Sequence, residues 1–107
     1  MSLAQPNVID ALGIDDASGR VILVIRHDGP WEGSDAQLYQ LQEKLNAYLS
    51  FALDGEMAEE HPEFANRPIG LRIEAAAPDA RTLAMLAEVR RQIGYQEITL
   101  EVRAAGI

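Results

Sequence analysis

Two short stretches carry residue types from which a protein could build chemistry. His27 and Asp28 stand where an apolar run, "VILVIR", gives way to the connector "HDGPWEGSD". An imidazole beside a carboxylate can accept and return a proton, and loops at strand ends often hold functional groups. Neighbouring strand residues point to opposite faces, however, and no serine or cysteine motif supplies a nucleophile for the pair to activate. The second stretch, "DGEMAEEHPE" at 54–63, holds five carboxylates and His61 with no lysine or arginine among them. Glu59, Glu60, Glu63 and His61 would be the ligands of a divalent-metal site. Helical ligand pairs want i, i+3 or i, i+4 spacing, and Pro62 interrupts the run. EF-hand spacing is absent as well, so no metal is assigned.

Without a metal, Glu56, Glu59, Glu60, His61 and Glu63 read as a solvated acidic loop that could receive a basic protein partner. Asp54 and Glu56 follow a helix carboxyl end, where the macrodipole disfavours anions by about 0.3–1 kcal/mol each. Trp31, the only tryptophan, joins this candidate contact surface, since indoles are frequent binding anchors. Its competing role is a lid that folds over the core and finds an acceptor for its N–H. The chain has no GxGxxG, Walker or GxSxG pattern, so no cofactor is expected.

The elements that must position these residues follow from periodicity. Val8–Ile14 and Val21–Arg26 read as two strands joined by "DDASG", which is hairpin chemistry. "VILVI" is apolar on both faces, as a central strand requires. Ser34 and Gln37 have the form of a capping box opening the first helix. Leu38, Leu41, Leu45, Tyr48 and Ala52 make its apolar stripe, and Gly55 is placed to end it in the left-handed conformation. Ile69–Ala75 and Glu97–Arg103 alternate cleanly, with charged outer faces. Between them a second helix starts near Asp79 and ends at Gly94, burying Leu83, Leu86, Val89 and Ile93. The order β-β-α-β-α-β predicts a two-layer α/β sandwich, an α+β fold with a four-stranded sheet and two helices on one face.

At 107 residues the chain predicts one domain over 1–107, with enough surface to bury for a core without staples. It contains no cysteine, which excludes disulfides and thiolate chemistry. A formal charge of −8 argues against nucleic acid and against anionic membrane surfaces as partners. The opening residues have no cationic start or apolar core of a signal peptide, and the expected location is cytoplasmic. Tyr39, Phe51 and Leu53 widen the first helix's apolar arc beyond one sheet face, which suggests a homodimer contact aided by sheet edges.

The opening "NVIDALGID", Trp31 and the helix "LQEKLNAYLSFALDGE" together resemble a family of small bacterial proteins of unknown function. Its members share an N-V-I-D start and an L-Q-E-K-[IL]-N-A-Y-L helix. The resemblance implies an uncharacterised domain and carries no catalytic roles. The residues thus favour a non-enzymatic interaction or accessory module. The alternative is a small-molecule or metal-dependent enzyme using His27, Asp28 and His61.

Overall fold

The computed structural model describes Leu3 and residues 8–103. Strands β1 (Ala11–Ile14) and β2 (Val21–Arg26) form the antiparallel hairpin. Its turn is fixed by the Asp15 carboxylate, which accepts from the Ser18 backbone N–H at 3.1 Å and from the Ser18 hydroxyl at 2.7 Å. Gly19 supplies the left-handed residue, at φ 74°. β2 pairs in parallel with β3 (Ile69–Glu74), and β3 in parallel with β4 (Thr99–Arg103), giving the order β1-β2-β3-β4. Parallel neighbours need long crossovers. The first contains α1 (Asp35–Leu53) and the short α2 (Glu56–Glu60), and the second contains α3 (Ala80–Gly94). Right-handed crossovers stepping the same way place both long helices on one face, as the alternation of the strands requires.

Register explains the core. Leu12, Leu23, Leu71 and Leu100 lie in one row across the sheet, and Ile25, Ile73 and Val102 in the next. Leu41, Leu45 and Tyr48 of α1, with Leu86 and Ile93 of α3, close over these rows. Each buried side chain of this size contributes about 1.5–3 kcal/mol of transfer free energy. Among the described residues, no helix is long and apolar enough to cross a membrane.

The structure departs from the sequence expectations at identifiable points. The stretch 54–63 reads from sequence as a solvated acidic loop; most of it instead forms α2 and a 3₁₀ turn over Pro62–Phe64. Met57 is buried and Phe64 packs on the core, so two apolar anchors shape the segment while its carboxylates stay outside. Ser34 accepts the Gln37 N–H as a cap, but the Gln37 side chain does not return to Ser34. Its Oε1 accepts from the Glu32 N–H at 2.7 Å instead. Leu83 is half exposed, and Thr82 takes the buried position, its hydroxyl donating to Asp79 at 2.6 Å. Gly55, at φ 97°, does end α1 in the left-handed region.

Asp79 caps α3 through the Thr82 N–H and hydroxyl, and these bonds, the hydroxyl first, hold its carboxyl below the ordinary range. The Ser18 hydroxyl does the same for Asp15 in the hairpin turn. A carboxyl depressed on folding contributes stability above its unfolded pKa and loses it as pH falls through the folded value. The Asp15→Asn/Asp79→Asn variant is therefore expected to lose less melting temperature than the parent between about pH 4 and pH 2. Parallel acid limbs in the two melting curves would contradict this.

Candidate functional site

The connector after β2 is an ordered structure. His27 is buried, and its backbone N–H donates to Glu74 O at 3.0 Å. Its Nε2 lies 3.2 Å from Pro30 O and 3.5 Å from Gln37 Nε2, while its Nδ1 is buried without a hydrogen-bond partner. The Trp31 ring packs at 4.4 Å from the imidazole, and the indole N–H donates to Ala76 O at 2.8 Å. Trp31 thus bridges the loops that follow β2 and β3. Gly33 sits at φ 65° with its missing Cβ position only 2.8 Å from the Asp79 carboxylate, and Arg81 donates to Gly33 O at 2.8 Å. Crevices at the carboxyl ends of parallel strands open where successive crossovers diverge. Here both step the same way, and the two loops pack on each other. Asp28 is exposed and is not among the hydrogen-bond partners of the His27 ring.

A second polar group lies under α1. Lys44, the only lysine of the chain, is fully buried. Its ammonium donates to Val8 O at 2.9 Å, lies 3.4 Å from the Asp10 carboxylate and stands 5.5 Å from the Tyr48 ring centre. The Tyr48 hydroxyl donates to Val24 O at 2.7 Å and accepts from the Asp10 N–H at 2.8 Å. The Asp10 carboxylate in turn accepts from the Arg26 N–H at 3.0 Å. A phenol and a carboxylate therefore continue the hairpin ladder by side-chain bonds where the backbones separate. This is why β1 begins at Ala11 and not at Val8. Burial pushes the Tyr48 hydroxyl well above the ordinary phenol range, and the Asp10 charge adds to the shift.

The separated segment makes room for a pocket of about 430 Å³ beside β1. Ile9, Leu12, Phe51 and Phe64 supply apolar walls, and Glu60, His61 and Glu63 line it with polar groups. The His61 ring packs 5.2 Å from the Phe64 ring, and its Nδ1 lies 3.7 Å from the Glu63 carboxylate. Arg67 bonds the Glu63 carbonyl, not its carboxylate.

A model of the family of unknown function DUF6572 matches residues 1–106. The chain belongs to that family. No curated protein and no solved structure matches it. The two stretches on which the resemblance rests meet in this member's structure, since Asp10 comes from the first and Lys44 and Tyr48 from the second.

The candidate residues fall into two groups. His27 and Trp31 come together in the connector; Glu60, His61 and Glu63 come together beside β1. Glu56 and Glu59 are exposed on α2. Among the described residues, no hydrogen bond, ion pair or ring contact joins the groups, and no three acidic or histidine side chains are placed to hold a metal ion. Of the apolar residues marked as a dimer contact, Tyr39 is 64% and Leu53 47% exposed, whereas Phe51 packs on the core beside the pocket. Sequence reasoning missed Lys44, and it placed Gln37 in the helix cap without its contacts to His27 and Pro30. The available signal was phase: residues 37, 41, 44, 45 and 48 share one helical face.

Proposed function

We propose that the chain is a non-enzymatic interaction module of the cytoplasm that receives a basic side chain of a partner protein in the pocket beside β1. One observation carries the reading: aromatic and aliphatic side chains of Phe51, Phe64 and Ile9 line the same pocket as Glu60 and Glu63. Arginine and lysine have this same division, an apolar stem and a cationic head, and they gain from aromatic faces and carboxylates together. Glu56 and Glu59 on the exposed side of α2 extend the negative field that would draw such a partner in. The enzyme alternative needs His27, Asp28 and His61 around one substrate. The closed connector and the separate place of His61 give it less support than the pocket gives the binding reading.

The test is a titration of the labelled chain with a Gly-Arg repeat peptide, with a Gly-Gln repeat as control, followed by backbone amide NMR. Shifts are expected at residues 9–12, 51 and 60–64, with the Glu60→Gln/Glu63→Gln variant binding at least about tenfold more weakly. The Phe64→Leu variant, which keeps the acids, should also weaken binding. Shifts spread over every acidic residue, or equal binding of both peptides, would refute the assignment.

A further inference from the structure

The chain carries nine lysine and arginine residues against seventeen aspartate and glutamate residues. With carboxylates in such excess, a cation without one beside it is the exception. Arg26, Lys44, Arg72, Arg81, Arg91 and Arg103 all stand in ion pairs. Arg90 gives its Nε to Leu100 O across the α3–β4 junction. Arg20 and Arg67 remain. Among the described residues neither has a carboxylate partner, and both line one pocket of about 230 Å³.

This pocket lies at the amino ends of the parallel strands, the opposite end of the sheet from the closed connector of His27 and Trp31. Arg20 precedes β2, Ile69 opens β3 and Ile98 immediately precedes β4. Main-chain carbonyls hold both arginines. Arg20 Nη1 donates to Ile69 O at 2.9 Å and to Glu97 O at 3.1 Å, and Arg67 Nε donates to Glu63 O at 3.0 Å. Among the described residues the other nitrogens of both guanidiniums have no acceptor. A guanidinium fixed by one nitrogen keeps further N–H donors in a plane, the arrangement that a carboxylate matches. Glu97 lines the pocket too but pairs with neither arginine. It takes φ 61°, a conformation rare for a residue with a side chain, and so presents its carbonyl to Arg20. Much of the remaining wall is apolar: Pro68, Ile69 and Ile98, with Leu53, which ends α1 and is 47% exposed.

We propose that this pocket binds a carboxylate with a short aliphatic body, Arg20 and Arg67 receiving the anion and Leu53 and Ile98 the hydrocarbon. The pocket is smaller than the roughly 300–1,000 Å³ of sites for drug-sized ligands, so a compact acid fills it. Bare phosphate would leave the apolar wall uncovered, and a neutral amide would bring no charge to the guanidiniums. Two sources offer the fitting chemistry: a free branched-chain acid, and the carboxyl terminus of a peptide ending in leucine. No lining residue is shared with the pocket beside β1, so the two assignments stand or fall separately.

Backbone amide NMR of the full chain titrated with isovalerate tests it, with isovaleramide, acetate and inorganic phosphate as comparisons. Shifts are expected at residues 20, 53, 67, 69 and 96–98, with a Kd on the order of 1–10 mM. Acetate should bind at least about tenfold more weakly, for want of the aliphatic body. Arg67 is exposed and bonds only the Glu63 carbonyl, so Arg67→Gln leaves the core untouched, which melting curves check. That variant should weaken isovalerate at least about tenfold, and Glu97→Gln, which removes a nearby negative charge, should tighten it. The peptide Gly-Gly-Leu, with its carboxyl end free or amidated, separates the sources. Tighter binding of the free-ended peptide than of isovalerate assigns the site to a peptide terminus, and the reverse assigns it to a free acid. Equal binding of the amide, tighter binding of phosphate, an Arg67→Gln variant that binds as the parent does, or no localised shifts at about 20 mM overturns the proposal.

Discussion

Replacing Lys44 by methionine is expected to cost about 3–5 kcal/mol of folding stability, the usual result of removing one member of a buried ion pair. Methionine fills much of the same volume, so the loss arises from charge and hydrogen bonding and not from a void. Two groups lose a partner at once: the Asp10 carboxylate, whose side chain is 14% exposed and which keeps its bond from the Arg26 N–H, and the Val8 carbonyl, which accepts at 2.9 Å. The double variant Asp10→Asn/Lys44→Met also removes the carboxylate charge that faced the ammonium and should recover a substantial part of the loss. Urea unfolding of the three proteins decides the matter. A single-variant loss below about 1 kcal/mol would place Lys44 with exposed ion pairs and contradict the role given to it.

Tyr48→Phe comes next, at about 2–4 kcal/mol. Its hydroxyl stands between two backbone groups, donating to Val24 O and accepting from the Asp10 N–H. Deleting the oxygen leaves both unsatisfied, and each buried polar group without a partner costs about 1–3 kcal/mol. The ring remains, so apolar packing is preserved. Hydrogen exchange gives a local check: the Asp10 amide should exchange faster in the variant by a larger factor than amides of α3. Uniform acceleration across the chain would mean that the hydroxyl supports the whole fold and no particular junction. Because Lys44 and Tyr48 act on the same segment, the two changes should be less than additive when combined.

The architecture was legible because strand and helix periods write themselves into hydrophobicity. Ile69, Leu71 and Ile73 alternate with Gly70 and Arg72, and the register across β2 and β4 turns that alternation into two rows of core. Both helix caps, Ser34 and Asp79, were equally visible, as was Gly55. What failed was the assumption that polar residues leave a buried stripe. Lys44 lies in phase with Leu41 and Tyr48, and Thr82 in phase with Leu86 and Ile93, yet both were read past in favour of apolar neighbours such as Leu83. Each is buried because a partner three or more residues away satisfies it, Asp10 for one and Asp79 for the other. The pocket was half legible. Its acids stood out as a block, but the turn that brings Phe64 to the same pocket as Leu12 of β1 joins residues far apart in sequence, which no local pattern records.

The placement of β2 has a consequence for how the chain is made. Its "VILVI" core is flanked by a partner that precedes it directly and by another that begins only at Ile69. On the ribosome the hairpin can close at once, covering one side of this greasy ribbon. The other side must wait for the whole first crossover to be synthesised, because parallel pairing demands distant chain closure. A nascent chain stalled before Ile69 thus displays a five-residue, uncharged edge with four β-branched residues, the kind of segment that recruits chaperones or seeds aggregates.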